Sequence, residues 1–203
     1  MTVLAETEEL ARAAHYALLA TLLYAPPSAS LLAAIARAGQ ERDVPHTPLA
    51  DAGERLRLAS GAMDADAATD EFQALFIGAG SGGEIVPYAS WHLTGFLMEE
   101  PLAHVRGDLA ALGYDRADGV SEPEDHIAAL CETMRLLIES GCPLNRQKQF
   151  FMRHLAPWGE AFAMQLQSAP SANYYGQVAA LLREFLRVEA MSFAMVHDMA
   201  EQR

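Results

Sequence analysis

The residues best placed to do chemistry stand in one run, Ser121-Glu122-Pro123-Glu124-Asp125-His126-Ile127. It sets three carboxylates and an imidazole just ahead of an apolar segment. Ser121 and Glu124 have the three-residue spacing of a capping box, and Pro123 is tolerated only in a helix's first turn. Beyond them Ile127, Leu130, Met134, Leu137 and Ile138 recur at helical intervals, which marks one buried face. Asp125 and His126 are thus expected on the opening turn of that helix, pointing about 100° apart. With Ser121 and Glu124 making the cap, Asp125 and His126 have no structural task and are available to hold a ligand. A helix N-terminus disfavours protonated imidazole, so His126 is expected to be neutral near pH 7.

Other chemistries find less support. Glu122 and His126 share a helical face, but a metal site needs three or four ligands, and His92, His104 and His154 have no partner at i+3 or i+4. Ser81 and Ser90 lie outside any nucleophile elbow, and Cys131 sits within an apolar helix where a neutral thiol is the default. Gly78 to Gly83 lacks the Lys-Ser/Thr ending of a phosphate loop and follows no strand, so it reads as a flexible connector. No catalysis, metal or cofactor is expected. A binding constellation remains: Phe72, Leu75 and Phe76 fall at i, i+3 and i+4, and Pro87, Tyr88 and Trp91 follow across the glycine loop, with Phe96 and Met98 further on. Aromatic anchors beside carboxylates suit an extended peptide that is both apolar and basic.

The chain's composition agrees. A net charge of −13 over 203 residues argues against a nucleic-acid binder and would steer a cationic partner inward. The acidic residues gather in two groups, Asp64, Asp66, Asp70 and Glu71, then Asp115, Asp118, Glu122, Glu124 and Asp125. No apolar run is long enough to span a bilayer, Glu6, Glu8 and Glu9 stand where a signal peptide needs positive charge, and Cys131 and Cys142 fit a reducing compartment. A cytoplasmic protein is expected.

The elements that must position these residues are helical. Leu10, Ala14, Ala17, Leu18 and Leu22 outline a first helix ended by Pro26-Pro27, and an alanine-rich helix spans about 28–38. Thr47-Pro48 opens a helix to about Gly61 with proline at its first position. Further helices are expected over about 64–77, 101–113, 121–141, 145–167 (with Pro157 inside) and 171–201. The reading is all-α, with about eight to ten helices in one compact unit: an N-terminal part over 1–113, a hinge at 114–121 and a C-terminal part over 122–203.

Phe72-x-x-Leu75-Phe76, a glycine-rich loop with Glu84, Pro87-Tyr88-x-Ser90 and Glu122-Pro123-Glu124-Asp125-His126-Ile127 occur in the order seen in the TorD/DmsD family, the redox-enzyme maturation chaperones of molybdoenzymes. Phe151-x-x-His154-Leu155-x-x-Trp158, then Tyr174-Tyr175 and a long helix, also resemble that family, so the likeness covers about residues 10–189. Two departures stand out: Phe72 replaces a tryptophan of some members, and the family's Glu-Pro-Asp-His gains a residue here. The resemblance implies a cytoplasmic chaperone, not an enzyme. Its partner would be an apo-molybdoenzyme catalytic subunit, bound through its twin-arginine leader until the molybdenum cofactor is inserted. It also implies that Asp125 and His126 take part in leader binding, and that Leu75, Phe76, Pro87, Tyr88 and Trp91, with Phe72, belong to an apolar groove. Guanidinium forks pair bidentately with carboxylates, so Asp125 would meet an arginine with Glu122 or Glu124 assisting. The competing expectation is an all-helical scaffold or regulatory subunit without leader specificity, and either could be a monomer or a domain-swapped dimer.

Overall fold

The computed structural model describes residues 3–39, 46–78, 82–116, 119 and 121–201. Among these residues are ten α-helices and no strand. The all-α expectation holds. The helices are α1 (Val3–Tyr24), α2 (Ala29–Arg37), α3 (Pro48–Ala62), α4 (Ala65–Phe72), α5 (Ala89–Thr94), α6 (Glu100–Ala111), α7 (Ile127–Glu139), α8 (Leu144–His154), α9 (Gly159–Gln167) and α10 (Tyr174–Glu201). They fall into two compact units, one formed by residues 1–24 and 87–159, the other by 25–86 and 160–203. Both are discontinuous in sequence, and residues 114–121 lie inside the first. The chain passes between them next to Tyr24, Pro87 and Gly159.

In the first unit α1 lies along α7, which also packs on α8, while α6 meets both α5 and α8. Leu130, Met134 and Leu137 of α7 are fully buried, as the helical spacing predicts. On α1 the buried face is instead Ala13, Tyr16, Leu19 and Leu23, since of the residues expected there Leu22 is buried but Leu10 and Ala14 are exposed. Cys131 shares that core, and burial pushes its thiol up to about 12, so it stays an inert apolar group. The expected helix over 145–167 is two helices, because Pro157 cannot continue the backbone ladder. Trp158 follows the break, buried, donating from Nε1 to the His154 carbonyl at 2.7 Å and stacked on His92.

In the second unit α3 packs on α2 and α10, and α10 also meets α4. Ser28, Thr47 and Asp64 cap α2, α3 and α4 with their side-chain oxygens. The segment read as one helix over 64–77 ends in a π-helical turn, Gln73–Ile77. Two glycines flanking the following loop are fixed by close approach. A Cβ on Gly78 would meet the Gly82 carbonyl oxygen at 1.9 Å, and one on Gly83 the Leu75 oxygen at 2.4 Å. The loop's ends are therefore packed backbone; its middle, 79–81, lies outside the described residues, as do positions 117, 118 and 120 of the expected hinge.

Two carboxylates from the acidic group around Asp64 to Glu71 and the loop after Gly83 secure the start of α10. Glu71 accepts from the backbone N–H groups of Asn173 (2.8 Å), Tyr174 (3.1 Å) and Tyr175 (2.7 Å). Glu84 accepts from the Ser171 N–H at 3.1 Å and from its hydroxyl. These are the orphan donors of a helix N-terminus, and an anion there also complements the helix dipole.

Candidate functional site

The run Ser121 to Ile127 does not open a helix at Ser121. Helix α7 starts at Ile127, and its N-cap is His126, whose Nδ1 accepts from the Ala128 N–H at 3.1 Å. The capping box of Ser121 and Glu124 is absent, and the reason is backbone pairing. Residues 125–127 pair with residues 87–89 in a single antiparallel bridge between Tyr88 and His126. Ala89 N–H donates to the Asp125 carbonyl at 3.0 Å, and Ile127 N–H to the Pro87 carbonyl at 2.9 Å. These bonds occupy groups that a longer helix would have used.

Side chains tie the same two segments. Asp125 is 1% exposed, and its Oδ2 accepts from both the backbone N–H (2.8 Å) and the hydroxyl (2.5 Å) of Ser90. Ser90 is the second residue of α5, so Asp125 supplies the cap that Tyr88 does not. The expectation that Asp125 and His126 lack a structural task is overturned: one secures α5, the other α7. The Tyr88 hydroxyl donates to Glu122 in a short hydrogen bond, and its ring sits edge-on to His126 with centroids 5.1 Å apart. Burial, then the Glu122 carboxylate, raises the Tyr88 pKa, so the phenol remains a donor.

Glu124 is also engaged, by the chain's own arginines. Arg106 Nε lies 2.9 Å and Arg116 Nε 3.5 Å from its carboxylate. Arg116 further donates to the Glu122 carbonyl at 2.6 Å. Each of the three carboxylates thus has a partner within the first unit.

His126 is neutral, as expected, though burial rather than the helix terminus is the main cause. Burial pushes it down to about 4 against the opposing pull of Glu122 and Asp125. Accepting at Nδ1 requires that nitrogen to be unprotonated, so the cap and the titration are one event. The folded value lies below the unfolded one of about 6.5, so the unfolded chain binds the proton first. The stabilisation is therefore complete above about pH 6.5 and is lost as pH falls towards 4, by at most about 3 kcal/mol. Urea midpoints measured across that window are expected to decline, and His126→Asn, which can still cap, is expected to flatten the decline. Burial lowers His154 as well, so part of the slope should persist in the variant.

The apolar candidates separate by unit. Pro87 is buried beside the bridge and Tyr88 is half-buried, whereas Trp91 on α5 is 44% exposed. Phe72 and Leu75 are core residues of the second unit, and Phe76 is half-buried there, its ring 5.6 Å from Tyr175. Helix α5 itself, six residues long, was not anticipated; its signal was the Asp125–Ser90 pairing, which no local pattern reveals. Also unanticipated are Leu93, Leu97, Glu99 and Glu100, all exposed.

With this geometry in view, comparison with known proteins is informative. The sequence profile of the family described as nitrate reductase delta subunit matches residues 42–164, more than half of the chain. The chain belongs to that family, and so to the TorD/DmsD type of redox-enzyme maturation proteins; its class is a maturation chaperone of redox enzymes. A crystal structure titled as a proposed redox enzyme maturation protein from Archaeoglobus fulgidus shares the fold, with a TM-score of 0.56 at 21% identity over 85% of this chain and 93% of that one. No curated protein sequence matches. No helix among the described residues is long and apolar enough to cross a membrane.

Proposed function

We propose that this chain is a cytoplasmic chaperone for an apo-molybdoenzyme. It binds the twin-arginine leader of the catalytic subunit, assists folding and molybdenum-cofactor insertion, and holds back export until both are complete. Family membership supports the class of activity. The observation that carries the leader-binding reading is the tie between residues 87–90 and 122–127, which fixes α5 and leaves Trp91 outward on a rigid base. An acidic protein presenting apolar side chains suits a peptide that joins guanidinium groups to an apolar stretch.

In this reading Asp125 and His126 are positioning residues. Both are buried and hydrogen-bonded, so they act through α5 and α7. Glu122 and Glu124 would share a leader arginine with the partners they already hold, Tyr88 for one and Arg106 and Arg116 for the other. The saturation of Asp125 is also what favours the scaffold alternative, and Asp125→Asn separates the two. The amide keeps an acceptor for Ser90 and removes the charge. Calorimetry against a leader peptide should show affinity within about threefold of wild type if Asp125 only positions. Loss of arginine-dependent affinity in a stable Asp125→Asn protein would instead put its carboxylate on the leader. No leader affinity in the wild type would leave the scaffold reading.

A further inference from the structure

Between α5 and α6 the first unit carries an apolar ridge that its own core does not use. Trp91, Leu93, Phe96, Leu97 and Met98 are 44%, 44%, 68%, 51% and 75% exposed. Five large apolar side chains within eight residues form a patch of the kind that marks an interaction site rather than scattered surface. Residues of ordinary turns are small and polar, and Phe96, Leu97 and Met98, which connect α5 to α6, are neither.

The ridge is held in shape. Thr94 Oγ1 donates to the Ser90 carbonyl at 2.7 Å and accepts from the Phe96 N–H at 3.2 Å. Gly95 closes α5 in the left-handed conformation, its N–H donating to Trp91 O at 2.9 Å. Met98 has φ 60°, a left-handed conformation that disfavours a side chain by about 1–2 kcal/mol. Such outliers collect where a surface is shaped for use. Ser90, at the root of this stitching, is the residue that buried Asp125 secures.

Charge decides the occupant. Glu99 and Glu100 follow Met98 directly, both exposed. Among the described residues Glu100 meets His104 Nε2 at 3.3 Å, and Glu99 makes no ion pair, although Arg106 lines the same cleft. The nearby Arg106 is committed to Glu124. A second copy of this chain, of net charge −13, would bring carboxylates against carboxylates. A partner with adjacent cations ahead of an apolar stretch is complementary at both ends.

We propose that the ridge from Trp91 to Met98 seats the apolar stretch of the leader, with Glu99 and Glu100 receiving its arginines. This rests on the leader-binding reading above and names the surface that performs it. Guanidinium forks suit paired carboxylates, and Met98 and Leu97 can repack against leaders of different sequence.

The test uses the full chain and a synthetic peptide with two adjacent arginines before a leucine-rich stretch, beside a version with glutamines in place of the arginines. Trp91 is the exposed one of two tryptophans, Trp158 being buried, so binding should shift its emission to the blue. Phe96→Ser with Leu97→Ser should weaken both peptides at least about tenfold, and Glu99→Gln with Glu100→Gln should weaken the arginine peptide about tenfold and the glutamine peptide hardly at all. Far-UV circular dichroism checks folding, and the near-isosteric glutamine pair decides if the serine pair does not fold. Wild-type affinity in both pairs would overturn the ridge while leaving leader binding intact. No binding by the wild type would remove both. A dimer dispersed by the serine pair in sedimentation, with peptide affinity unchanged, would assign the ridge to self-association and also overturn the proposal.

Discussion

Asp125→Ala is expected to destabilise the first unit by about 2–4 kcal/mol, measured as a shift in the urea midpoint at neutral pH. The carboxylate is buried and accepts from two donors on Ser90. Hydrogen bonds to a charged acceptor contribute about 1.5–3 kcal/mol, and a buried donor left unpaired costs about 1–3 kcal/mol. Alanine removes the acceptor and strands both an N–H and a hydroxyl. Asp125→Asn should cost about half as much, since one amide oxygen can accept from both donors. In a double-mutant cycle with Ser90→Ala, the two effects should couple strongly, because they share one network. A cost below about 1 kcal/mol, the size of a helix-terminus interaction alone, would mean that Asp125 does not hold α5.

Glu71→Ala is expected to be nearly as damaging to the second unit, by about 2–3 kcal/mol. One carboxylate there answers three successive backbone donors at the start of α10. Its removal loses charge-assisted bonds and a favourable anion at the helix N-terminus. Water can reach the most exposed of the three donors, Asn173, which keeps the cost below that of a fully dry site. Glu71→Gln should recover part of the loss. Hydrogen exchange gives the local readout: the Tyr174 and Tyr175 amides should lose protection in the alanine variant, while those of α7 should not change. Uniform loss of protection across both units would contradict this local account.

Much of the helical content was legible because it is local. Thr47-Pro48 announced α3 through a side chain that caps within three residues, and the structure shows that cap, together with those of Ser28 on α2 and Asp64 on α4. The heptad-like spacing of Ile127, Leu130, Met134 and Leu137 likewise gave the buried face of α7. What could not be read is non-local. Ser121 and Glu124 satisfy the local rule for a cap, yet residues 125–127 pair with the distant residues 87–89, and that pairing moves the helix start to Ile127. Glu71 stands out in the sequence only as one of an acidic group, because nothing near it predicts bonds to residues 102–104 positions away.

The candidate site followed the same division. The types of residue were legible: carboxylates, an imidazole and aromatic anchors beside a glycine-rich loop. Their tasks were not. The sequence cannot distinguish Asp125 as a contact from Asp125 as a buried support, since both need a carboxylate at the mouth of a helix. Burial and the bonds to Ser90 give Asp125 a structural task, while Trp91 is left exposed.

The most direct test of leader binding is a calorimetric titration of the purified chain with the leader of a molybdopterin oxidoreductase subunit encoded beside its gene. Saturable binding is expected, weakened at least about tenfold when the leader's Arg-Arg becomes Gln-Gln. Flat heats with that leader, or equal affinity for both versions, would contradict the account.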